Sequence, residues 1–336
     1  MKISFVATVF NEEKTIGALL DSLLLQSRLP EEIVIVDGGS NDSTLSIITN
    51  FTSEESRSLP RHRPRWESKK VKLKIFIKSN FTIAQGKNYG IKKASGDIIA
   101  MSDAGCTLHK DWLERITEAF VKENADIVGG FYRMMGSTPL QRALSVFLGI
   151  PPQRFDQNKF LPSARSIAFK RTLWKKIGGF NEKLERAGED TLFNYQAIKH
   201  GAKFVRVKDA LVDWEVPNSL WEGLRKFYIY AKGDAQAGIW WHPTQRISTH
   251  NLKIFSVFVR YAVGVVLFIL AFWYEIADYI LAVSILAYLA WSIWKMRDVV
   301  TDSRTRTWLP IVQIASDIGV LLGATSGVFS KISRMV

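Results

Sequence analysis

A chain of 336 residues can bury a core as one large domain or two modest ones, and its formal charge of +13 calls for an acidic partner such as nucleic acid or anionic lipid. Its single cysteine, Cys106, excludes an intrachain disulfide and any multi-cysteine zinc site, which suits a reducing compartment. The composition is divided: residues up to about Trp241 read as a soluble α/β protein, whereas 252–329 is dominated by Leu, Ile, Val, Ala, Phe and Trp, so membrane lipid is the expected partner and nucleic acid is not.

The first apolar run, ISFVATVF, is short and leads straight into acidic residues, so no cleavable signal is expected and the soluble part should stay in the cytosol. ISFVATV and EIVIVD are β-rich, and between them Ile16, Leu19, Leu20, Leu23 and Leu24 fall at helical spacing behind Asn11 as a plausible cap. A helical STLSIITNF, a strand LKIFI, a helix over Ala84 to Ala94 and a strand DIIAMSD follow. This alternation predicts a mostly parallel sheet with helices on its faces. Asp37 and Asp103 then stand at strand carboxyl ends, where open α/β sheets bind ligands. The turn TVFNEEKT has no glycine-rich pyrophosphate loop, which argues against a dinucleotide oxidoreductase. Residues 52–70 are polar, basic and proline-containing, as expected of a solvated or lipid-facing surface loop.

Farther on, Trp214, Trp221, Phe227, Tyr228, Tyr230, Trp240 and Trp241 interleave with Arg225, Lys226 and Lys232, the composition of a helix in the lipid headgroup region. Three apolar stretches, 252–274, 276–294 and 308–329, each approach the roughly 20 residues that cross a bilayer as a helix. YEIADY carries no Lys or Arg, while the next link holds Lys295, Arg297, Arg304 and Arg306, so the first two spans form a hairpin with its tip outside. Asp317 inside the third stretch has to face protein or water. The expected divisions are a sheet domain over 1–215, an interfacial aromatic and basic helix region over 216–250, and a membrane region over 251–336.

The segments VATVFNEEKTI, IVIVDGGSNDST, AQGKNYGIKKASGDIIAMSDAGC, SARSIAFKR and GEDTLFNYQAIKHGAKF occur in an order that resembles the family 2 glycosyltransferases of GT-A fold. Each is a weak signal; the ordered set is strong. The resemblance implies a GT-A nucleotide-diphospho-sugar transferase fold with a C-terminal α-helical membrane segment. It also implies transfer of a sugar from a nucleotide-sugar donor to a lipid-linked or glycan acceptor, with inversion, helped by Mg²⁺ or Mn²⁺. The processive synthases of the family carry a Gln-x-x-Arg-Trp motif that RKFYIYAKGDAQAG lacks, so single transfers are expected.

On this resemblance the donor pocket takes Thr8, Asn11, Glu12, Asp37, Ser40, Lys87, Asp103 and Arg165. Asp37 suits a base N–H, because a carboxylate on an apolar strand end otherwise needs a partner. Asn11 and Ser40 suit helix capping equally well, as does Asp42. Lys87 stands where the family often has Arg and is either a phosphate partner or a solvated lysine. Arg165, with Ser163 and Ser166, either binds phosphate or sugar hydroxyls or lies on a strand's solvated face. Asp103 is the expected metal ligand, and Gly105 replaces the second Asp of the family's Asp-x-Asp motif. By the same resemblance Asp190 is the catalytic base, with Glu189 as neighbour or substitute, although acids opening a helix also favour its dipole.

Overall fold

The computed structural model describes residues 1–51, 71–240 and 249–333. The surface loop expected over 52–70 and Trp241 lie outside the described residues. Two compact units divide the chain: 1–133 with 155–215, and 134–154 with 216–336.

The first unit is an eight-stranded sheet with helices. Strand β1 (Ile3–Val9), helix α1 (Ile16–Leu24), β2 (Glu32–Asp37), α2 (Thr44–Asn50), β3 (Lys72–Ile77), α3 (Ile83–Lys93) and β4 (Ile98–Met101) alternate as the sequence pattern implies. β1 pairs in parallel with β2 and β4, and β2 with β3. β5 (Cys106–Leu108), α4 (Trp112–Lys122) and β6 (Ile127–Met134) follow, then β7 (Ile167–Lys170), α6 (Arg171–Lys176), α7 (Glu189–Lys199) and β8 (Phe204–Trp214), with α5 (Pro139–Leu148) inserted before β7. The strand order is β3-β2-β1-β4-β7-β6-β8-β5, and β4–β7, β6–β7 and β5–β8 are antiparallel. All six residues of β2 are buried, as a continuous apolar run between two helical layers must be. Gly86 and Gly90 let α3 lie close on the sheet: a Cβ at either would sit 2.8 Å from Thr8 or Val6.

At the amino end of the parallel strands, buried Glu32 accepts from Ser4 Oγ at 2.5 Å, from Ser95 Oγ at 2.9 Å and from the Ser95 N–H, and pairs with Lys74 at 2.7 Å. Burial alone pushes its carboxyl up, but these partners together hold its pKa down at about 2.

The second unit contains α5 and four further helices: α8 (Leu220–Ala237), α9 (His250–Leu270), α10 (Glu275–Trp294) and α11 (Ser303–Ile332). Among the described residues, α9, α10 and α11 are long and apolar enough to cross a membrane. Phe268 is 57% and Leu286 67% exposed, so α9 and α10 turn their apolar side chains outward as lipid-facing helices do. Ala143 and Leu144 of α5, Phe227 of α8 and Leu309 and Val312 of α11 share one core with Met296 and Val300. Gly319, Gly323 and Gly327 line the face of α11 against α8, where side chains would collide with α8 atoms such as the backbone oxygens of Leu224, Tyr228 and Lys232.

Several sequence expectations change at this level. Trp214 is the last residue of β8 and is buried, not part of an interfacial helix. α11 begins at Ser303 rather than 308, because Asp302 caps it by accepting from the Arg304 and Thr305 N–H groups and the arginines continue the helix. α5 groups with the C-terminal helices, although it lies within the stretch read as sheet domain.

Candidate functional site

The candidate site is built on the carboxyl ends of adjacent strands β2, β1 and β4, with the loops that leave them. Asn11 does not cap α1, whose N-cap is Thr15; it holds φ +56° in the turn after β1. Its side-chain oxygen accepts from Asn41 N–H at 3.0 Å, and its own N–H donates to Ser40 Oγ at 2.9 Å. Glu12 N–H donates to Thr44 Oγ1 at 2.7 Å. The loops after β1 and β2 are thereby stitched into one wall, with half-buried Thr8 in the strand behind.

Asp37 is 1% exposed. Its Oδ1 accepts from the N–H groups of Gly39 (2.9 Å) and Ser40 (2.8 Å) and from Ser40 Oγ (2.9 Å), while among the described residues Oδ2 takes only the Ser40 N–H at 3.3 Å. One oxygen holds the loop, then, and the other keeps accepting capacity. Ser40 is a linker between the two loops, not a helix cap; the N-cap of α2 is Ser43, and Asp42 just ahead of it takes the Thr44 N–H at 2.9 Å.

Asp103 stands two residues beyond β4 in the turn SDAG, closed by Cys106 N–H to the Asp103 carbonyl at 3.1 Å. A Cβ on Gly105 would lie 3.7 Å from Trp214 Nε1, an ordinary contact, so the backbone there accepts a side chain's first carbon without strain. The adjacent Cys106 thiol is pushed up to about 12, first by burial and then by the Asp103 carboxylate, and stays an inert thiol.

α3 carries Lys87 beneath these turns. Its side chain is buried, with Nζ 2.6 Å from Glu189 Oε1, so it is not a solvated lysine. Burial opposes the charged ammonium, but Glu189, Asp103 and Asp190 outweigh it and raise its pKa. Burial also raises the pKa of Glu189 against the pull of Lys87, with Asp190 adding to the rise.

Gly188, at φ +89°, turns the chain into α7, and Glu189 and Asp190 fill its first turn. The two acids differ in setting. Glu189 is buried and committed to Lys87, whereas half-buried Asp190 is aimed by two backbone donors, Thr191 N–H on Oδ1 at 2.8 Å and Ala164 N–H on Oδ2 at 3.3 Å. Arg165 precedes β7 and does not lie on a solvated strand face: its guanidinium stacks 3.5 Å from the Trp214 ring centroid and donates to Ser163 Oγ at 3.0 Å. Ser166 is core, accepting from Trp112 Nε1 at 2.8 Å and donating to the Ala210 carbonyl at 3.1 Å. His109 is held by Asp213 at 3.1 Å beside Arg133.

Lys87, Asp103, Glu189 and Asp190 thus form one electrostatic group drawn from α3, the β4 turn and α7. Sequence reasoning missed the Lys87–Glu189 pair and the Arg165–Trp214 stack, since partners 102 and 49 positions apart leave no local pattern. Among the described residues no cluster of three or more His, Cys, Asp or Glu could hold a metal ion.

The family model described as Glycosyl transferase family 2 matches residues 4–178. The uncharacterized glycosyltransferase EpsJ of Bacillus subtilis is 25% identical over 232 residues, which span 66% of this chain and 63% of EpsJ. The glycosyltransferase AglE of Haloferax volcanii is 24% identical over 266 residues, 76% of this chain and 79% of AglE. Among solved structures, the mannosyltransferase PcManGT from Pyrobaculum calidifontis, in complex with GDP-Man and Mn²⁺, aligns with a TM-score of 0.56 at 18% identity, over 95% of this chain and 87% of its own. S. aureus TarS in complex with UDP aligns with a TM-score of 0.51 at 16% identity, over 100% and 92%. At these identities the two structures establish the GT-A fold.

Proposed function

Because the chain belongs to glycosyl transferase family 2, we propose that it moves a sugar from a nucleotide-sugar donor to a lipid-linked or glycan acceptor at the cytosolic face of the cell membrane, with inversion and one transfer per encounter. The observation that carries this reading is the contrast between the two acids opening α7: a buried Glu189 neutralised by Lys87, and a half-buried Asp190 positioned by backbone donors. Such a carboxylate can take the proton of an incoming hydroxyl. An acceptor that arrives as an ionised phosphate needs no such base, and Asp190 would then orient it.

Donor recognition falls to the wall made by Thr8, Asn11, Glu12, Asp37 and Ser40, with the Asp37 carboxylate as acceptor for a base N–H. Arg165, pre-oriented on Trp214, suits a phosphate oxygen as a planar donor. Lys87 acts from below, lending its charge through Glu189 rather than meeting phosphate itself. A single carboxylate fits a cation that arrives on a diphosphate better than one held in advance, because Mg²⁺ often takes only one or two carboxylates and keeps its waters. Mg²⁺ or Mn²⁺ would be held by Asp103 with the donor, where it would supply Lewis-acid stabilisation of the leaving diphosphate.

PcManGT binds GDP-Man and Mn²⁺, and TarS binds UDP; both facts support the donor class without naming the base or sugar used here. The outward apolar faces of α9 and α10 support membrane attachment, and the lysine and arginine residues between α10 and α11 support a cytosolic site. The test is a panel of nucleotide sugars incubated with the full chain in lipid, with and without a polyisoprenyl phosphate, reading release of nucleoside diphosphate. Release of pyrophosphate, or of nothing from any donor, would overturn the reading.

A further inference from the structure

Inside the second unit, three spans are joined by a polar network. Asp317 of α11 is buried, and its Oδ2 accepts from Arg260 Nη2 of α9 at 2.6 Å and from Tyr288 OH of α10 at 2.6 Å, while Oδ1 accepts from Gln313 Nε2 at 2.8 Å. Just past the end of α10, Lys295 donates to Gln313 Oε1. The Lys295 ammonium and the Arg260 guanidinium share one indole, 4.5 and 5.6 Å from the Trp291 centroid, and Lys295 also lies 4.5 Å from the Phe147 ring.

Two cations therefore face one carboxylate. A lysine at the end of a spanning helix ordinarily extends its ammonium toward water and headgroups. Lys295 instead folds inward, where among the described residues its partners are a neutral amide and two aromatic faces, and no carboxylate pairs with it. Arg260 Nε is also buried without a hydrogen-bond partner among the described residues, yet about a third of the side chain, 32%, is exposed. A half-buried ammonium without a counter-ion and a buried unpaired N–H both cost free energy unless an anion satisfies them.

We propose that Lys295 and Arg260 form a binding site for the phosphate group of a lipid, with Trp291 and Tyr288 beside the headgroup and the tail left in the bilayer along α9 and α10. The site rests on the reading that these helices lie in a membrane, and it is independent of which sugar is moved. A soluble phosphate meets neither the depth nor the apolar surroundings of the site, whereas a lipid delivers its phosphate there with the tail already solvated by acyl chains.

The full chain in phosphatidylcholine nanodiscs, doped in turn with phosphatidic acid, a polyisoprenyl phosphate or the neutral polyisoprenol, is analysed by native mass spectrometry for lipid retained per protein. One or both lipid phosphates are retained over the neutral lipid, and which of them binds identifies the source. Lys295→Met weakens retention roughly ten- to a hundred-fold, the loss expected for a charge-assisted hydrogen bond. Lys295→Arg keeps most of it, and Arg297→Gln, which alters an exposed cation 4.0 Å from the Trp294 ring, leaves it unchanged. Equal retention of neutral and phosphorylated lipid, equal retention by Lys295→Met, or displacement by millimolar inorganic phosphate overturns the site. Membrane fractionation of each variant separates failure to insert from loss of lipid selectivity, and the comparison of phosphorylated with neutral lipid on the unaltered chain still decides the site where Lys295→Met does not fold.

Discussion

Lys87 is the residue on which the candidate site turns, because a cation excluded from water has been placed among three acids. Lys87→Met leaves Glu189 buried without its partner, a loss of roughly 3–5 kcal/mol for a broken buried pair. Thermal unfolding should register a drop of several degrees. The double change Lys87→Met with Glu189→Gln removes both charges and should recover most of that stability without recovering turnover, which separates the pair's structural contribution from its electrostatic one. Asp190→Asn is different in kind: it preserves size and keeps an oxygen for one of the two backbone donors, so stability should fall by no more than about 1 kcal/mol while turnover falls roughly 10²- to 10⁴-fold. Near-normal turnover in this variant would show that the acceptor arrives ionised. Gly105→Asp adds the missing carboxylate at a position where a Cβ meets only ordinary contacts. Calorimetry should find Mn²⁺ binding tightened in the absence of nucleotide, and unchanged binding would separate Asp103 from any metal role.

At the level of elements, the sheet owes its order to features at both ends of its strands. Glu32 ties β1, β2, β3 and the approach to β4 at the end remote from the site. Its folded pKa of about 2 lies below the ordinary value, so the stability it contributes is fully present above the unfolded pKa near 4.5 and is lost as pH falls toward 2. Glu32→Gln should remove on the order of 3 kcal/mol at neutral pH and flatten the acid limb of a stability profile measured between pH 6 and 2. The strands themselves were legible from the sequence, since ISFVATV and EIVIVD are apolar runs that only a sheet covered on both faces can bury. The positions of Asp37 and Asp103 followed from the same pattern, since they stand where such strands end, whereas Glu189 and Asp190 open a helix and were singled out only by the family resemblance. Asn11 was misread because a residue with a short polar side chain serves a left-handed turn as readily as a helix cap. α5 was invisible as a partner of α11, because a ten-residue amphipathic helix shows the same periodicity whichever surface it covers.

For the whole molecule, the division into units changes what can be cut away. A chain ending after Gly238 keeps α5 and α8 but loses α11, uncovering Ala143, Leu144 and Phe227. It should stay on membranes or aggregate. A chain ending at Glu215 with residues 134–154 replaced by a short linker should instead be monodisperse and bind nucleotide. Size-exclusion chromatography and nucleotide calorimetry on both products check this, and a soluble first product would show that α11 is dispensable for covering α5. The same insertion sets a timetable for synthesis. About 150 residues separate Leu148 at the end of α5 from Ser303 at the start of α11, so at 5–20 residues per second α5 waits roughly 8–30 s for its partner. During that interval its apolar face must rest on something other than α11, and α8, which is made before α11 and shares the same core through Phe227, is the partner that reaches it first.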